Sequence, residues 1–321
     1  MKLQARPLLY AAFLFTLSFT SFSQTREQGP WWPHPIWGAG DQAGGSNWIT
    51  PEKVLQAMTM VKTGKVYELG QPYENEMSIP DNRSYNLLIP SFPTYGPEGR
   101  NGQVFNDEYI AGSLGQVGTQ FDGPGHVGQQ VKMADGTTTE VFYNGYSTAD
   151  MKNPFGLQKL GVENVKPIVT RGVLVDIAGL KGVPTLAEGY EVSLVDVRAA
   201  LKKQGIAEAS IAQGDALFFN FGWSKHWASG HAMKGKRPYV GREVVEWIIT
   251  KKPCMVGSDG IMDGDELIAH SELTMKNGIF NLEWMTFETL QADKAYEFLF
   301  VFTPIRFKGA TGSPGRPIAI R

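Results

Sequence analysis

The sequence predicts an α/β fold in a single domain, on three observations. Strand-like and helix-like segments alternate through the second half of the 321 residues. Glycine (37 residues) and proline (19 residues) are frequent enough to indicate many turns and long shaped loops rather than a helical bundle. The sequence contains no internal repeat, low-complexity tract or clear linker, so one domain accounts for its whole length.

The first predicted elements are a helix, a strand and a long loop. Thr50, Pro51 and Glu52 form a helix start, with a capping hydroxyl, a proline at the first position and an acid in the first turn. Residues 65–69 alternate like a strand, and residues 71–112 are polar and rich in Pro and Gly. A loop of that length inside one domain is usually a lid or a substrate wall. The expected buried face of the helix, before its stop at Gly64, is Val54, Leu55, Met58 and Val61.

The second half contains the alternating elements. Buried strands are predicted at 172–177, 215–221, 255–256 and 298–302, because these stretches are short, apolar and bounded by turn residues. Ser193 with Asp196 resembles a capping box, and it begins a helix that Gly205 ends. A further helix is predicted around 244–249. This order of strands and helices is what indicates an α/β domain.

Composition and charge exclude several function classes. A formal net charge of -2 gives no electrostatic basis for binding nucleic acid or an anionic membrane, so the expected partner is a small-molecule substrate. The single cysteine, Cys254, cannot form an intramolecular disulfide, and its apolar surroundings predict a core residue rather than a nucleophile. Neither a Gly-x-Ser-x-Gly elbow nor a phosphate-binding P-loop occurs in the sequence.

The N-terminus is predicted to be a processing segment. Lys2 and Arg6 precede an apolar run at 8–22, and small residues lead up to Ser23. This pattern predicts a signal peptide at 1–23 and a mature domain at 24–321, exported to a periplasm or secreted. An uncleaved anchor is the alternative, although the run is too short to span a membrane comfortably. After cleavage no later stretch of sequence is long and apolar enough to cross a membrane.

Residues 115–126 carry the strongest chemical signal. They place Gln116, Gln120, Asp122 and His126 around glycines and a proline, in a segment suited to a tight, stiff turn. Converging oxygen and nitrogen donors indicate a metal site. Glutamine, however, is an uncommon ligand for transition metals, and in a glycine-rich turn it more often bonds to the backbone. On this segment alone, both interpretations stay open.

A second polar cluster follows at 259–283. His270 and Glu283 flank an apolar, helix-like segment, so they can return to one site from its two ends. The chain has only 5 histidines, which makes this position informative. The neighbouring acids Asp263, Asp265 and Glu266 are expected to be solvated members of a surface loop.

The first segment resembles a family signature, His-x-Gly-Thr-His-x-Asp-x-Pro-x-His. Residues 116–126 match it at Gly118, Thr119, Asp122, Pro124 and His126, while Gln116 and Gln120 stand in place of the two leading histidines. The family is the metal-dependent cyclase family, which includes bacterial kynurenine formamidase, isatin hydrolase and trans-dienelactone hydrolase. The resemblance extends over essentially the whole mature chain, through residues 37–42, 47–54, 214–215, 222–223 and 309–314.

The resemblance implies a fold, a cofactor and a set of site residues. The fold would be a compact α/β domain with a central mixed β-sheet or barrel flanked by helices, assembled as a homodimer or homotetramer. The cofactor would be a divalent metal, zinc or manganese; amide oxygens are harder and weaker ligands than imidazole, so the site would hold zinc less tightly and accept manganese. His126 would be the general base, or a further ligand if one ion binds. The implied metal ligands are Gln116, Gln120, Asp122, His270 and Glu283. The candidate substrate-pocket residues, each of which also fits a place in the core, are Phe121, Trp223, Tyr95 and Phe105.

The implied activity is hydrolysis of a cyclic ester or cyclic amide by metal-activated water. The glutamine pair is similar to longer members such as trans-dienelactone hydrolase. One alternative is arylformamidase activity on N-formylkynurenine, against which the glutamines and the predicted export both argue. The other is a metal-free binding protein on the same scaffold, and the retention of Asp122, His126, His270 and Glu283 speaks against it.

Overall fold

A computed structural model describes residues 29–227, 232 and 235–321, and the centre of this structure is a nine-stranded mixed sheet. The predicted signal peptide lies outside the described residues. The strands are β1 (Val66–Glu68), β2 (Tyr85–Leu88), β3 (Tyr95–Glu98), β4 (Gln103–Phe105), β5 (Tyr109–Gly112), β6 (Gln120–Asp122), β7 (Gln129–Lys132), β8 (Thr138–Val141), β9 (Ile168–Asp176), β10 (Glu191–Val192), β11 (Ala216–Asn220), β12 (Tyr239–Val240), β13 (Met255–Ser258), β14 (Phe280–Glu283), β15 (Glu297–Phe302), β16 (Gly312–Pro314) and β17 (Ile318–Ile320). The helices are α1 (Pro51–Met58), α2 (Thr148–Met151), α3 (Ile177–Lys181), α4 (Leu194–Lys203), α5 (Arg242–Lys251), α6 (Glu288–Ala292) and a π-helical segment at His270–Lys276.

The large sheet has parallel strands at its centre and antiparallel strands at its sides. Its order is β1-β17-β15-β9-β11-β13-β14-β6-β16, with β9, β11, β13 and β14 parallel to one another. Apolar clusters are buried against it, which accounts for the nearly continuous hydrophobic runs of the central strands. The α/β prediction is confirmed. Strands β1 and β16 lie at the two edges of the sheet and do not pair with each other among the described residues, so the sheet is open rather than a closed barrel.

Helix α1 has the predicted cap but buries an unexpected face. The Thr50 hydroxyl accepts a hydrogen bond from the Lys53 N–H, as an N-cap should. The helix ends at Met58, and the expected apolar face is wrong at two of its four positions, because Leu55 is 70% exposed and Met58 is 53% exposed, while Val54 and Val61 are partly buried. Lys53 and Ala57 are buried instead.

The reason is a buried ion cluster beneath α1. Lys53 Nζ lies 2.5 Å from Asp215 Oδ1, and an Arg171 guanidinium nitrogen lies 3.0 Å from Asp215 Oδ2. Arg171 also contacts Glu297 at 2.6 Å. Paired charges therefore hold this helix to the sheet, where the sequence pattern predicted a leucine and a methionine.

The other predicted elements agree with the structure. Ser193 and Asp196 form a full capping box at the start of α4, and α5 covers the second predicted helix. Cys254 is fully buried, and burial raises the pKa of its thiol, as expected of a core cysteine. No helix of the described part has the length and apolar character needed to cross a membrane.

The long segment predicted as a loop forms a ribbon of two nested hairpins. Strand β2 pairs with β5, and β3 pairs with β4 between them. We call residues 85–112 the arm. Its apolar side chains are largely exposed: Leu87, Leu88, Ile89, Phe92, Tyr95, Val104, Phe105, Tyr109 and Ile110.

Candidate metal centre

The floor of the candidate site is built by two adjacent strands, β6 and β14. They pair antiparallel with Asp122 opposite Asn281 and Gln120 opposite Glu283. Because alternate residues of a strand point to the same side, these four side chains share one face of the sheet. The Asn281 amide joins them, donating to Asp122 Oδ2 at 3.2 Å and to Glu283 Oε1 at 2.9 Å.

Gly118 and Thr119, which precede β6, are each required by the local structure. Gly118 has a φ of 66°, and a Cβ there would lie 2.5 Å from the Tyr73 ring. The Tyr73 hydroxyl lies 2.6 Å from the carbonyl oxygen of Val117 and 2.7 Å from that of Thr119. The Thr119 hydroxyl donates to the Trp284 carbonyl at 2.7 Å, just beyond β14. These contacts fix the position of β6 beside β14.

The turn after β6 brings His126 back over the site. Its N–H donates to the Gly123 carbonyl at 3.0 Å, which closes a turn. His126 Nε2 then lies 3.7 Å from Asp122 Oδ1. The predicted convergence of Gln120, Asp122 and His126 is therefore present in the structure.

His270 reaches the same point from the other side. It is the first residue of the π-helical segment, and its Nε2 lies 3.2 Å from Asp122 Oδ2 and 3.5 Å from Glu283 Oε1. The segments at 116–126 and 270–283 thus meet in one cluster. The donor atoms of Asp122, His126 and His270 all lie within 4.8 Å of one another.

Asp263 is a member of the site that sequence reasoning assigned to a solvated loop, and that assignment is wrong. Asp263 is only 7% exposed and accepts hydrogen bonds from the Ala269 N–H at 2.6 Å and the His270 N–H at 3.2 Å. Its Oδ2 also contacts His270 Nδ1. A buried carboxylate needs such partners, and the only sequence signal was its place seven residues before His270. Asp265 and Glu266 are exposed, as expected.

Unpartnered buried atoms show that this donor set fits a cation. Gln120 Oε1, Asp122 Oδ1 and Asn281 Oδ1 are buried acceptor oxygens without a hydrogen-bond partner among the described residues. Leaving such an atom unsatisfied costs about 1–3 kcal/mol, so three of them in one cluster require an explanation. Oxygen and imidazole donors together suit zinc or manganese.

Gln116 lies at the edge of this cluster. Its Oε1 is 3.4 Å from Gln120 Nε2, and its own buried Nε2 has no hydrogen-bond partner within the described part of the chain. Gln120 Nε2 also lies 3.3 Å from Glu283 Oε2. The two predicted glutamines are therefore neighbours at the site, and a rotation of the Gln116 amide would turn its oxygen to where the nitrogen now lies.

The charges of the cluster also favour a cation. Burial and the charge of Asp122 raise the pKa of Glu283 to about 8. Burial alone would lower the pKa of His270, but its contacts with Asp122 and Asp263 outweigh burial and raise that pKa well above its usual value. The cluster therefore holds protons against its buried carboxylates, and a divalent cation would supply the same positive charge. Burial lowers the pKa of His126, which leaves this imidazole neutral.

A cavity of about 760 Å³ opens above the cluster. Gln120, His126, His270 and Glu283 line its floor, and its walls include Arg83, Tyr239, Ile261 and Trp284. None of the sequence-predicted pocket residues lines this cavity, as far as the described residues define it.

Each of those four residues has another position. Phe121 lies between two floor residues on β6, so it points to the opposite face and packs against Phe280 and Phe302. Trp223 is buried in the core, where its indole nitrogen donates to the Ala232 carbonyl at 3.0 Å. Tyr95 and Phe105 lie on the arm and are exposed.

Comparisons with known proteins bear on this site. The family described as "Putative cyclase" matches residues 67–262. A crystal structure described as that of a novel cyclase is 30% identical, with a TM-score of 0.77 over 89% of this chain and 98% of that chain. A comparison with curated proteins found no match.

Two isatin hydrolases are similar to this chain in fold. Isatin hydrolase A from Ralstonia solanacearum is 17% identical, with a TM-score of 0.57 over 80% of this chain and 92% of that chain. Isatin hydrolase A from Labrenzia aggregata, bound to benzyl benzoate, is 15% identical, with a TM-score of 0.56 over 83% of this chain and 98% of that chain.

Proposed function

This chain belongs to the cyclase family, and from that premise we propose that it is a metal-dependent hydrolase that opens a cyclic ester or cyclic amide. The observation that carries the proposal is the convergence of Asp122, His126 and His270 on the floor of a cavity, beside buried oxygens that have no hydrogen-bond donor among the residues that the structure describes. Such a floor suits an ion beneath a substrate-sized space.

The proposed ligands are Asp122, His270, Glu283 and Gln120, with Gln116 at the edge, and the proposed ion is zinc or manganese. A bound divalent ion supplies Lewis acidity, which polarises a carbonyl and makes water more acidic. Two residues hold the ligands in position. Asp263 contacts His270 Nδ1 and so leaves Nε2 directed at Asp122 and Glu283, while Asn281 bridges the two carboxylates.

His126 is the proposed general base. Burial lowers the pKa of His126, which favours the neutral imidazole that a base requires; the ring lines the cavity and lies 3.7 Å from Asp122 Oδ1. Its Nε2 takes a proton from the water that attacks the ring carbonyl, and the Asp122 carboxylate stabilises the resulting imidazolium. As the ring C–O or C–N bond breaks, the same proton passes to the leaving oxygen or nitrogen. The product is a hydroxy acid or an amino acid.

The metal-free binding alternative is less well supported. Without an ion, Gln120 Oε1, Asp122 Oδ1 and Asn281 Oδ1 would remain buried and unsatisfied, each at a cost to stability. Arylformamidase activity is the weaker enzymatic alternative, because Gln116 and Gln120 stand where the family signature has histidines. We also propose, from the sequence of residues 1–23, that the protein is exported, and export argues against arylformamidase activity as well.

We further propose that the protein is a homo-oligomer that buries the arm. The arm exposes nine large apolar side chains within residues 87–110, and soluble monomers rarely expose large apolar patches. The mass of the purified protein in solution, by light scattering, tests this proposal. A strictly monomeric protein would contradict it.

The central test is metal content and turnover in Asp122→Ala. We expect the wild-type protein, supplied with zinc or manganese, to hold the ion and to hydrolyse at least one member of a panel of lactones, isatin and N-formylkynurenine. Asp122→Ala should lose both ion and turnover, because Asp122 is the fully buried centre of the cluster. Asp265→Ala is the matched control, an exposed aspartate on the cavity rim. A wild type that takes up neither ion, or hydrolysis that survives in Asp122→Ala, would refute the proposal.

A further inference from the structure

Arg83 is a charged residue of the cavity wall that the proposed chemistry does not use. The segment before β2 turns back at this residue, since the Arg83 N–H donates to the Pro80 carbonyl at 2.9 Å. Its guanidinium Nη1 donates to the main-chain carbonyl of Gln116, at the start of the ligand segment. The side chain is half-buried and lines the same cavity as His126 and Glu283.

The charge of Arg83 has no carboxylate partner among the described residues. Two other cations of the cavity wall do have carboxylate partners: Lys236 lies 3.7 Å from Asp265, and Arg242 lies 3.5 Å from Glu266, with all four side chains largely exposed. A guanidinium carries five N–H donors, and the structure shows one side-chain hydrogen bond from Arg83, to a neutral carbonyl. Donors and charge are therefore available on the cavity side.

The Arg83 charge acts at the reacting end of the cavity. Its guanidinium donates to the main-chain carbonyl of Gln116, and the side chain of Gln116 lies 3.4 Å from Gln120 Nε2 on the floor of the cavity. An anion beside Arg83 would therefore sit close to the catalytic floor rather than at the outer rim, where Lys236 and Arg242 already face acids.

We propose that Arg83 is a substrate-binding residue that recognises a carboxylate carried by the substrate, so that the preferred substrate is an anionic cyclic ester or cyclic amide. The proposal rests on the hydrolase function above and names its substrate class. A guanidinium binds a carboxylate with paired, charge-assisted hydrogen bonds, which orients the ring as well as holding it. The substrate carbonyl would then face the metal floor while its carboxylate meets Arg83.

The test compares ligands that differ only in this charge. An oxocyclopentane carboxylate mimics the ring of a lactone but cannot be hydrolysed, and its carboxamide is the neutral partner. Binding of both to the metal-loaded protein is measured by calorimetry. In parallel, kcat/KM is measured for γ-carboxy-γ-butyrolactone and its primary amide. The variants are Arg83→Gln, Arg83→Lys and the matched control Arg242→Gln, another cavity-wall arginine.

We expect the wild type to prefer the carboxylate about tenfold to a hundredfold in both measurements, the worth of one well-made charged pair. Arg83→Gln should lose most of that preference, Arg83→Lys should keep part of it, and Arg242→Gln should keep it. A preference that is unchanged in Arg83→Gln would overturn the proposal. So would an equal loss for the charged and neutral ligands together with lower metal content, because Arg83 would then only support Gln116.

A third comparison distinguishes a carboxylate carried by the cyclic substrate from the carboxylate that ring opening creates in the product. If Arg83→Gln weakens binding only of the ring-opened hydroxy acid and not of the oxocyclopentane carboxylate, the residue serves the product, and the proposal is overturned. A failure of the proposed hydrolase function would give a different result from a failure of the Arg83 proposal. A protein that prefers the carboxylate through Arg83 but hydrolyses no lactone would refute the hydrolase and leave the assignment of Arg83 intact.

Discussion

Replacing Asp263 by asparagine should weaken metal binding although Asp263 is not a proposed ligand. Its carboxylate accepts hydrogen bonds from the N–H groups of Ala269 and His270 and contacts His270 Nδ1. An asparagine side chain keeps one acceptor oxygen and turns an NH₂ group toward donors that need an acceptor. Loss of the carboxylate partner of a ligating histidine usually costs about tenfold to a hundredfold in metal affinity. We therefore expect Kd to rise by that factor, or about 1.4–2.8 kcal/mol.

The assay is a chelator competition at fixed pH, with zinc and with manganese, on Asp263→Asn and on Asp265→Asn. The control makes the same chemical change two residues away, at a side chain that is 87% exposed and faces Lys236 at 3.7 Å. Its Kd should match that of the wild type. Circular dichroism confirms that both variants are folded. If folded Asp263→Asn binds both ions as tightly as the control does, Asp263 does not position His270 and the reasoning is refuted.

Two further predictions concern stability and assembly. Asp215→Ala should lower the free energy of unfolding by about 3–5 kcal/mol, because it leaves Lys53 buried without its counter-charge and removes one of the two carboxylates that Arg171 contacts. Urea denaturation measures this, and the comparison is Asp293→Ala, which removes the exposed ion pair between Asp293 and Lys65. A loss no larger than that of Asp293→Ala would contradict the prediction. Phe92→Ser together with Leu88→Ser should shift the solution mass of the protein toward that of the monomer, because both side chains are exposed on the arm; light scattering measures the mass, and an unchanged oligomer would show that the arm is not its interface.

The sequence predicted that Gln120, Asp122 and His126 lie near one another, because the information for this is local. Gln120, Asp122 and His126 lie on one short strand and one tight turn, so their spacing alone constrains where their side chains can meet. The residues alone indicated that His270 and Glu283 could return to one site, but their place beside Asp122 was implied only by the family resemblance, since it depends on which strand lies beside β6.

Other residues were missed because their role arises from tertiary contacts. Asp263 stands in a run of acids that is typical of a solvated loop, and its burial and its contacts with Ala269 and His270 distinguish it from Asp265. The buried Lys53 was hidden in a similar way, because helical periodicity favours apolar residues over a lysine. Its counter-charge, Asp215, is 162 residues away in sequence.

The position of β6 in the sheet has a consequence for the order in which the protein folds during synthesis. This three-residue strand is bonded on one side to Asn281–Glu283 and on the other to Gly312–Pro314. During synthesis, residues 120–122 have no strand to pair with until residues 281–283 have been made, and they lack the second neighbouring strand until residues 312–314 have been made. Contacts so distant in sequence form late, because a long loop must close first. The proposed ion should accordingly bind only after nearly the whole chain has been synthesised. A chain truncated before residue 312 would lack β16, one of the two strands that pair with β6.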